Sequence, residues 1–218
     1  MSLFLLKLIS GKSEMNILSA LRRPFSTRLT DNKLSIAMEQ QEEIRIILGA
    51  GGTKFDRFIS TDFQELNICS KASFEIYLRP DTVDIFVAEH VWEHLSPEEG
   101  ATACVHCFEF LKQGGMLRIA VPDGFHPDAD YIAYVRPGGC GAGAEDHKVL
   151  YNYRTLSYLL ESSGYKIQLL EWFDERGKFH YENWDIESGF IKRSRRFDER
   201  NHVNPTAYTS LIIDAIKP

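Results

Sequence analysis

Disulfides are the first thing the sequence lacks the means to build. Its 218 residues include four cysteines, at positions 69, 104, 107 and 140. That spacing gives no disulfide framework and fits a reducing, cytoplasmic compartment. Cys104 and Cys107 form a lone C-x-x-C inside a predicted helix. With no second pair they read as core thiols rather than a metal or redox site. Long apolar runs are also missing, since none approaches the roughly 20 residues that span a bilayer. The opening LFLLKLI is interrupted by Lys7, and no small-residue cleavage site follows it. A cationic excess is absent too. Lys and Arg total 25 against 31 Asp and Glu, for a formal net charge of −6. That argues against a sequence-independent nucleic-acid binder. Neither internal repeats nor low-complexity tracts occur.

What is present belongs to a globular α/β chain: 44% hydrophobic and 26% charged residues, enough to bury a sizeable core. Residues 1–40 read as a helical extension, broken near Gly11 and at Arg23-Pro24. They could cap a ligand site, make a homodimer contact or only cover core, and the last is the plainest. The stretch to Leu29 is rich in Lys, Arg and Ser, so organelle targeting is the alternative to a packed amphipathic helix. Residues 41–218 read as one α/β domain.

That domain is organised around IRIILGAGG, residues 44–52. A branched apolar run of this kind is a strand buried on both faces. The glycines that follow let a ligand approach bare backbone. FISTD, 58–62, is the second strand, and so few residues separate the two that the first crossover helix must shrink to a turn. VDIFVA, 83–88, is the third. Ser96 caps a helix over 97–112, which Gly114-Gly115 end. MLRIAV, 116–121, is the next strand. Residues 124–147 show no periodicity and read as a lid loop. A helix over 153–163, a strand over 166–173, a polar insertion over 174–204 and a last strand over 208–215 complete the chain.

The candidate chemistry sits where strands end. Asp62 closes the second strand, where a nucleotide fold places a carboxylate on ribose hydroxyls. The strict G-x-G-x-x-G is broken by Lys54, which lowers a dinucleotide and favours a cofactor without pyrophosphate. AEHVWEHL, 88–95, puts His90 and His94 four residues apart with Glu93 between them. The order H-V-W-E-H is not H-E-x-x-H, and no third ligand stands nearby, so no metal is expected. The glycines of RPGGCGAGAEDH do not form a phosphate loop. KRSRRFDER, 192–200, is a solvated ion-paired loop or else an anion clamp through Arg193, Arg195 and Arg196.

Taken together, LGAGG, TDFQELNI, VDIFVAEHVWEHL, LKQGGMLRIAVPDG and EDHKVLYN resemble a small class I S-adenosylmethionine-dependent methyltransferase over residues 44–218. The resemblance implies a Rossmann-like, seven-stranded, mostly parallel sheet whose last strand is antiparallel, in three α/β/α layers. It implies S-adenosylmethionine as cofactor, with Gly49, Ala50 and Gly51 beneath the methionine moiety and Asp62 on the ribose. Leu66 and Asn67 would border the adenine, and Glu89 and His90 would line the cofactor. Asn67 stands where such proteins often carry Asp. The partner the resemblance implies is a small-molecule methyl acceptor, whose anionic groups the clamp would meet; VPDG in place of a planar-nitrogen motif favours an oxygen or other small-molecule acceptor. If that acceptor must lose a proton, His147 is the first candidate base, then His94 and Tyr151. The rival readings are an adenosyl-ligand binding module without turnover and an NAD-type oxidoreductase.

Overall fold

The branched residues after Glu43 set the centre of the sheet. A computed structural model describes residues 25–40 and 43–218, and in it they form β1 (Arg45–Leu48). β2 (Ile59–Thr61), β3 (Val83–Glu89), β4 (Leu111–Pro122), β5 (Lys166–Phe173), β6 (Phe179–Tyr181) and β7 (Ser210–Ile216) complete a seven-stranded sheet. The order is β2-β1-β3-β4-β7-β5-β6. β2, β1, β3 and β4 are parallel, and β7 lies antiparallel between β4 and β5. β6 adds an antiparallel edge to β5. This is the expected Rossmann-like α/β sheet with its last strand reversed. The chain moves outward from β1 to β2, then returns to β3 on the other side of β1. Strand order therefore reverses between β1 and β3, and such a switch point opens a crevice at the carboxyl ends.

The first crossover is indeed reduced. β1 and β2 pair in parallel, yet residues 49–58 form turns only. Among the described residues the helices are α1 (Phe25–Gln40), α2 (Lys71–Glu75), α3 (Pro97–Phe110), α4 (Ala129–Val135) and α5 (Tyr153–Ser162). Four of them, α1, α2, α3 and α5, share one buried cluster with the sheet, through Leu34, Phe74, Cys104, Phe110, Leu156 and Leu160. The two thiols of C-x-x-C are thus core, as read; burial pushes Cys104 up to about 12. Alternation along β1 and β3 sends Ile47 and Val87 to the opposite face. There they meet Ala120, Leu170, Ile191 and Ile212. Among the described residues that face is covered by irregular chain from the insertion and from the turns after β1, with Trp184 and Phe55 packed on it.

Three local expectations change. Gly114-Gly115 do not end α3, which stops at Phe110; β4 starts immediately, and the glycines lie in its first half beside a register shift. Gly114 takes φ +78°, and a Cβ on Gly115 would lie 2.9 Å from the Lys112 carbonyl oxygen, so the pair serves an irregular strand pairing rather than a helix stop. The 124–147 segment is not all loop. It contains α4, capped by Asp128, whose side chain accepts from the main-chain N–H groups of Asp130 and Tyr131. The insertion likewise contains β6 and a 3-10 turn at Glu199–His202. Ser96 caps α3 as expected, and the structure adds a capping box with Glu99, each side chain bonding the other's main-chain N–H.

The expectations for residues 1–24 lie outside the described residues. The described α1 contributes Leu34 and Ala37 to the main core. Among the described residues, no helix is long and apolar enough to cross a membrane.

Candidate functional site

Two adjoining cavities occupy the crevice at the switch point. The larger, about 660 Å³, is lined by Gly49, Asp62, Phe63, Leu66, Asn67 and Val91 among others. The second, about 360 Å³, lies over Gly49, Ala50, Gly51, Glu89, His90 and Glu93. Gly49, His90 and His94 line both, so the two are neighbouring compartments of one crevice.

The glycine turn is shaped for close approach. Gly49 and Gly51 sit in the left-handed region, at φ +60° and +53°. A Cβ on Gly49 would stand 2.6 Å from a methyl of Val91, which packs over the turn. Beside Gly51 nothing lies within 4 Å of where a Cβ would project. Asp62 is exposed and borders the larger cavity, and its Oδ1 accepts from the Gly51 N–H at 2.8 Å. The end of β2 is thereby tied to the turn after β1. Leu66 is buried and Asn67 half-buried in the same wall. Asn67 accepts the Cys69 N–H through Oδ1.

β3 delivers the next group. Its main chain continues past Glu89 into His90, which adopts φ +56° while its N–H still bonds the Ala120 carbonyl. A non-glycine residue held there is strained, and such residues gather at sites that over-determine them. The His90 ring lies between Ser210 Oγ, 2.9 Å from Nε2, and Glu93 Oε1, 3.0 Å from Nδ1. Glu89 lines the smaller cavity, but its two carboxylate oxygens accept the main-chain N–H groups of Lys192 and Arg193. It pins the insertion over the crevice.

The far wall comes from the lid segment: Tyr134, Val135 and residues 141–144 and 147. His147 is held by Nδ1 against the Val135 carbonyl oxygen at 2.7 Å. The main-chain N–H groups of Lys148 and Val149 bond the Glu93 carbonyl, which brings this remote segment against the turn at Trp92–His94. His94 and His147 meet edge to face, with ring centroids 4.7 Å apart. The structure thus gathers His90, Glu93, His94 and His147 from two places in the chain.

Other predicted residues lie elsewhere. Tyr151 is buried in the main core and lines neither compartment. Burial pushes its hydroxyl up to about 12, so it is no candidate base. Of the arginines, only Arg193 borders the smaller cavity, and Glu89 lies 3.7 Å from its guanidinium. Arg195 stacks over Tyr181 and Arg196 over Phe197, away from both compartments. A flexible cation in an irregular loop can face either way, and here two of three turn onto aromatic rings. The residues sequence reasoning missed are Val91, Tyr134, Lys192 and Tyr208. No periodicity marks them: Val91 follows β3 in a turn, Tyr134 lies in the short helix α4, Lys192 in the insertion and Tyr208 just before β7.

No family model matches the chain, and no curated protein matches it. Solved structures resemble it over most of its length. One is a SAM-dependent methyltransferase from Archaeoglobus fulgidus, 16% identical, covering 93% of this chain and 98% of that one, with a TM-score of 0.44. Another is a SAM-dependent methyltransferase from Thermotoga maritima, 12% identical over 94% and 98% of the two chains, with a TM-score of 0.46. A third is phosphoethanolamine N-methyltransferase 2 of Haemonchus contortus in complex with S-adenosyl-L-methionine, 12% identical, with a TM-score of 0.43. It is covered over 52% of its length and covers 86% of this chain.

Proposed function

We propose that residues 41–218 form an S-adenosylmethionine-dependent methyltransferase acting on a small acceptor. The observation that carries this reading is the bare glycine turn at the switch point, with Asp62 fixed beside it and a second compartment opening directly next door. The cradle fits an adenosyl ligand. Gly49, Ala50 and Gly51 would underlie the methionine moiety, Asp62 would accept from ribose hydroxyls, and Leu66 and Asn67 would border the base. When bound, S-adenosylmethionine supplies a methyl group already activated on a sulfonium.

The protein's own part is alignment and exclusion of water. The smaller compartment would hold the acceptor under α4 and residues 141–144. His147 is the first candidate base. Its Nδ1 proton is committed to the Val135 carbonyl, so Nε2 carries the lone pair that would take a proton from an acceptor hydroxyl. His94 is the second: Nδ1 lies 3.3 Å from Asp146 Oδ2, which leaves Nε2 free in the same way. Because Arg193 is met by Glu89, acceptor charge forms no part of the proposal.

Calorimetric titration of the full chain with S-adenosylhomocysteine tests the cofactor. One equivalent should bind, and Asp62→Ala should weaken it roughly tenfold, about 1.4 kcal/mol, for one charge-assisted hydrogen bond. The absence of binding heat at millimolar ligand overturns the reading. Binding without methyl transfer to any extract would instead leave a module that holds the ligand and performs no turnover.

A further inference from the structure

We propose that Glu93, His94 and His147 form a binding site for a first-row divalent transition-metal ion of the zinc, iron or cobalt class. One ligand atom from each lies within 4.8 Å of those of the other two. Metal bonds of about 2.0–2.2 Å place tetrahedral donors roughly 3.3–3.6 Å apart, so side-chain rotation would have to draw the set closer to complete it. Two imidazoles and a carboxylate are a donor set for such ions rather than for magnesium or calcium, which prefer all-oxygen surroundings. The sequence hid the site because its third donor lies in the lid segment, brought in by the main-chain bonds from Lys148 and Val149 to the Glu93 carbonyl.

A second observation points to a ligand independently of the clustering. The Glu93 side chain is 1% exposed and lines the smaller cavity, yet neither carboxylate oxygen has a hydrogen-bond donor. A buried carboxylate ordinarily accepts several such bonds. The groups closest to it are His90 Nδ1, 3.0 Å from Oε1 but outside hydrogen-bond geometry, its own main-chain N–H and the His94 ring. These contacts steady the carboxylate and leave lone pairs unused.

The histidines are prepared as ligands usually are. A metal-bound imidazole typically gives its other ring N–H to a carbonyl or carboxylate, which fixes tautomer and ring angle. His147 Nδ1 meets the Val135 carbonyl oxygen at 2.7 Å, and His94 Nδ1 meets Asp146 Oδ2 at 3.3 Å. Each Nε2 is then the free lone pair. The three donors share a wall of the compartment beside the glycine turn, so a bound ion keeps an open position toward the cavity. The coordination stands on these residues alone and does not require the methyl-transfer reading. Where that reading holds, the ion would bind the acceptor's oxygen and lower its pKa, a task otherwise left to His147.

The test is titration of the full chain with Zn2+ by calorimetry and with Co2+ by visible spectroscopy, after chelator treatment and dialysis. One equivalent should bind, with cobalt bands of a nitrogen–oxygen site. His94→Ala, His147→Ala and Glu93→Gln should each abolish stoichiometric binding, while Asp146→Asn should weaken it about tenfold. His94 and His147 are partly exposed, so their variants should stay folded, which circular dichroism checks in the same samples. No stoichiometric binding to the wild-type chain overturns the proposal. So does binding that survives both histidine substitutions, or a near-ultraviolet thiolate band that places cobalt on Cys69 or Cys140. S-adenosylhomocysteine titrations on the same samples separate the two readings: metal lost with nucleoside binding kept tells against this site alone.

Discussion

Gly49 carries two constraints at one backbone position. Its φ of +60° disfavours any side chain, and a methyl group of Val91 already occupies the space a Cβ would need. Gly49→Ala should therefore cost roughly 2–4 kcal/mol: about 1–2 from the left-handed conformation and the rest from overpacking. Val91→Ala in the same chain should recover the overpacking share and leave the backbone share. Denaturant unfolding of the two single variants and the double would show that coupling. Additive effects would mean that Val91 does not rest on the turn. The glycine pattern was readable because the sequence departs from a side-chain-bearing strand so abruptly there. The need for Val91 was not, since nothing in a sequence tells which methyl group a turn will meet. Glu93 shows the same limit. Its spacing to His94 was plain, but the partner that makes the pair chemically interesting lies in another segment.

At the scale of elements, the insertion is anchored more firmly than its composition suggests. Arg118 of β4 faces Asp214 of β7 across the sheet, with a bidentate pairing at 2.7 and 2.8 Å. Its remaining nitrogen donates to the carbonyls of Asp185 and Gly189, and the guanidinium lies 4.8 Å from the Trp184 ring centroid. One buried cation thus joins two strands and the covering loop. Arg118→Ala should destabilise by about 3–5 kcal/mol, because Asp214 is left buried and unpaired. Hydrogen exchange should also rise over residues 185–193, which would loosen Lys192 and Arg193 beside the cavity. If exchange rises nowhere in that stretch, the loop is held by its apolar contacts instead. The strand Lys166–Phe173 was legible because apolar residues alternate with polar ones from Lys166 to Leu169, directly after the turn at Gly164. The helix Ala129–Val135 was not. It is seven residues long, and only Tyr131 and Val135 mark its buried side, too brief a repeat to stand out among neighbouring glycines. The start of β4 was misread for a related reason: a glycine pair serves a helix end and a strand irregularity equally well.

The whole molecule inherits a pH dependence from Asp123, which is fully buried at the end of β4 and accepts from the main-chain N–H groups of Phe125 and Phe173. Burial raises it from 3.8 to about 6 despite those two bonds. An acid raised in the folded state binds its proton more tightly there than in the unfolded chain. Stability from this group is complete below about pH 4, falls as pH rises toward 6, and stays reduced above that. The difference corresponds to about 3 kcal/mol. Asp123→Asn should remove that decline, although its amide must turn one NH2 toward a backbone donor and lose a bond. Chemical denaturation at pH 4, 5 and 6.5 would test it: parallel curves for wild type and variant would mean that the carboxyl group does not titrate in this range.

The sheet closes at both sides in strands of three residues, β2 and β6. Each offers only about 10 Å of unsatisfied ladder, too little for a foreign strand to register against. Crowding and heating should therefore drive this chain into amorphous precipitate before ordered fibrils. Any functional pairing of two copies through the described residues must be sought on a flat or helical surface, not by continuing the sheet from one copy into the next.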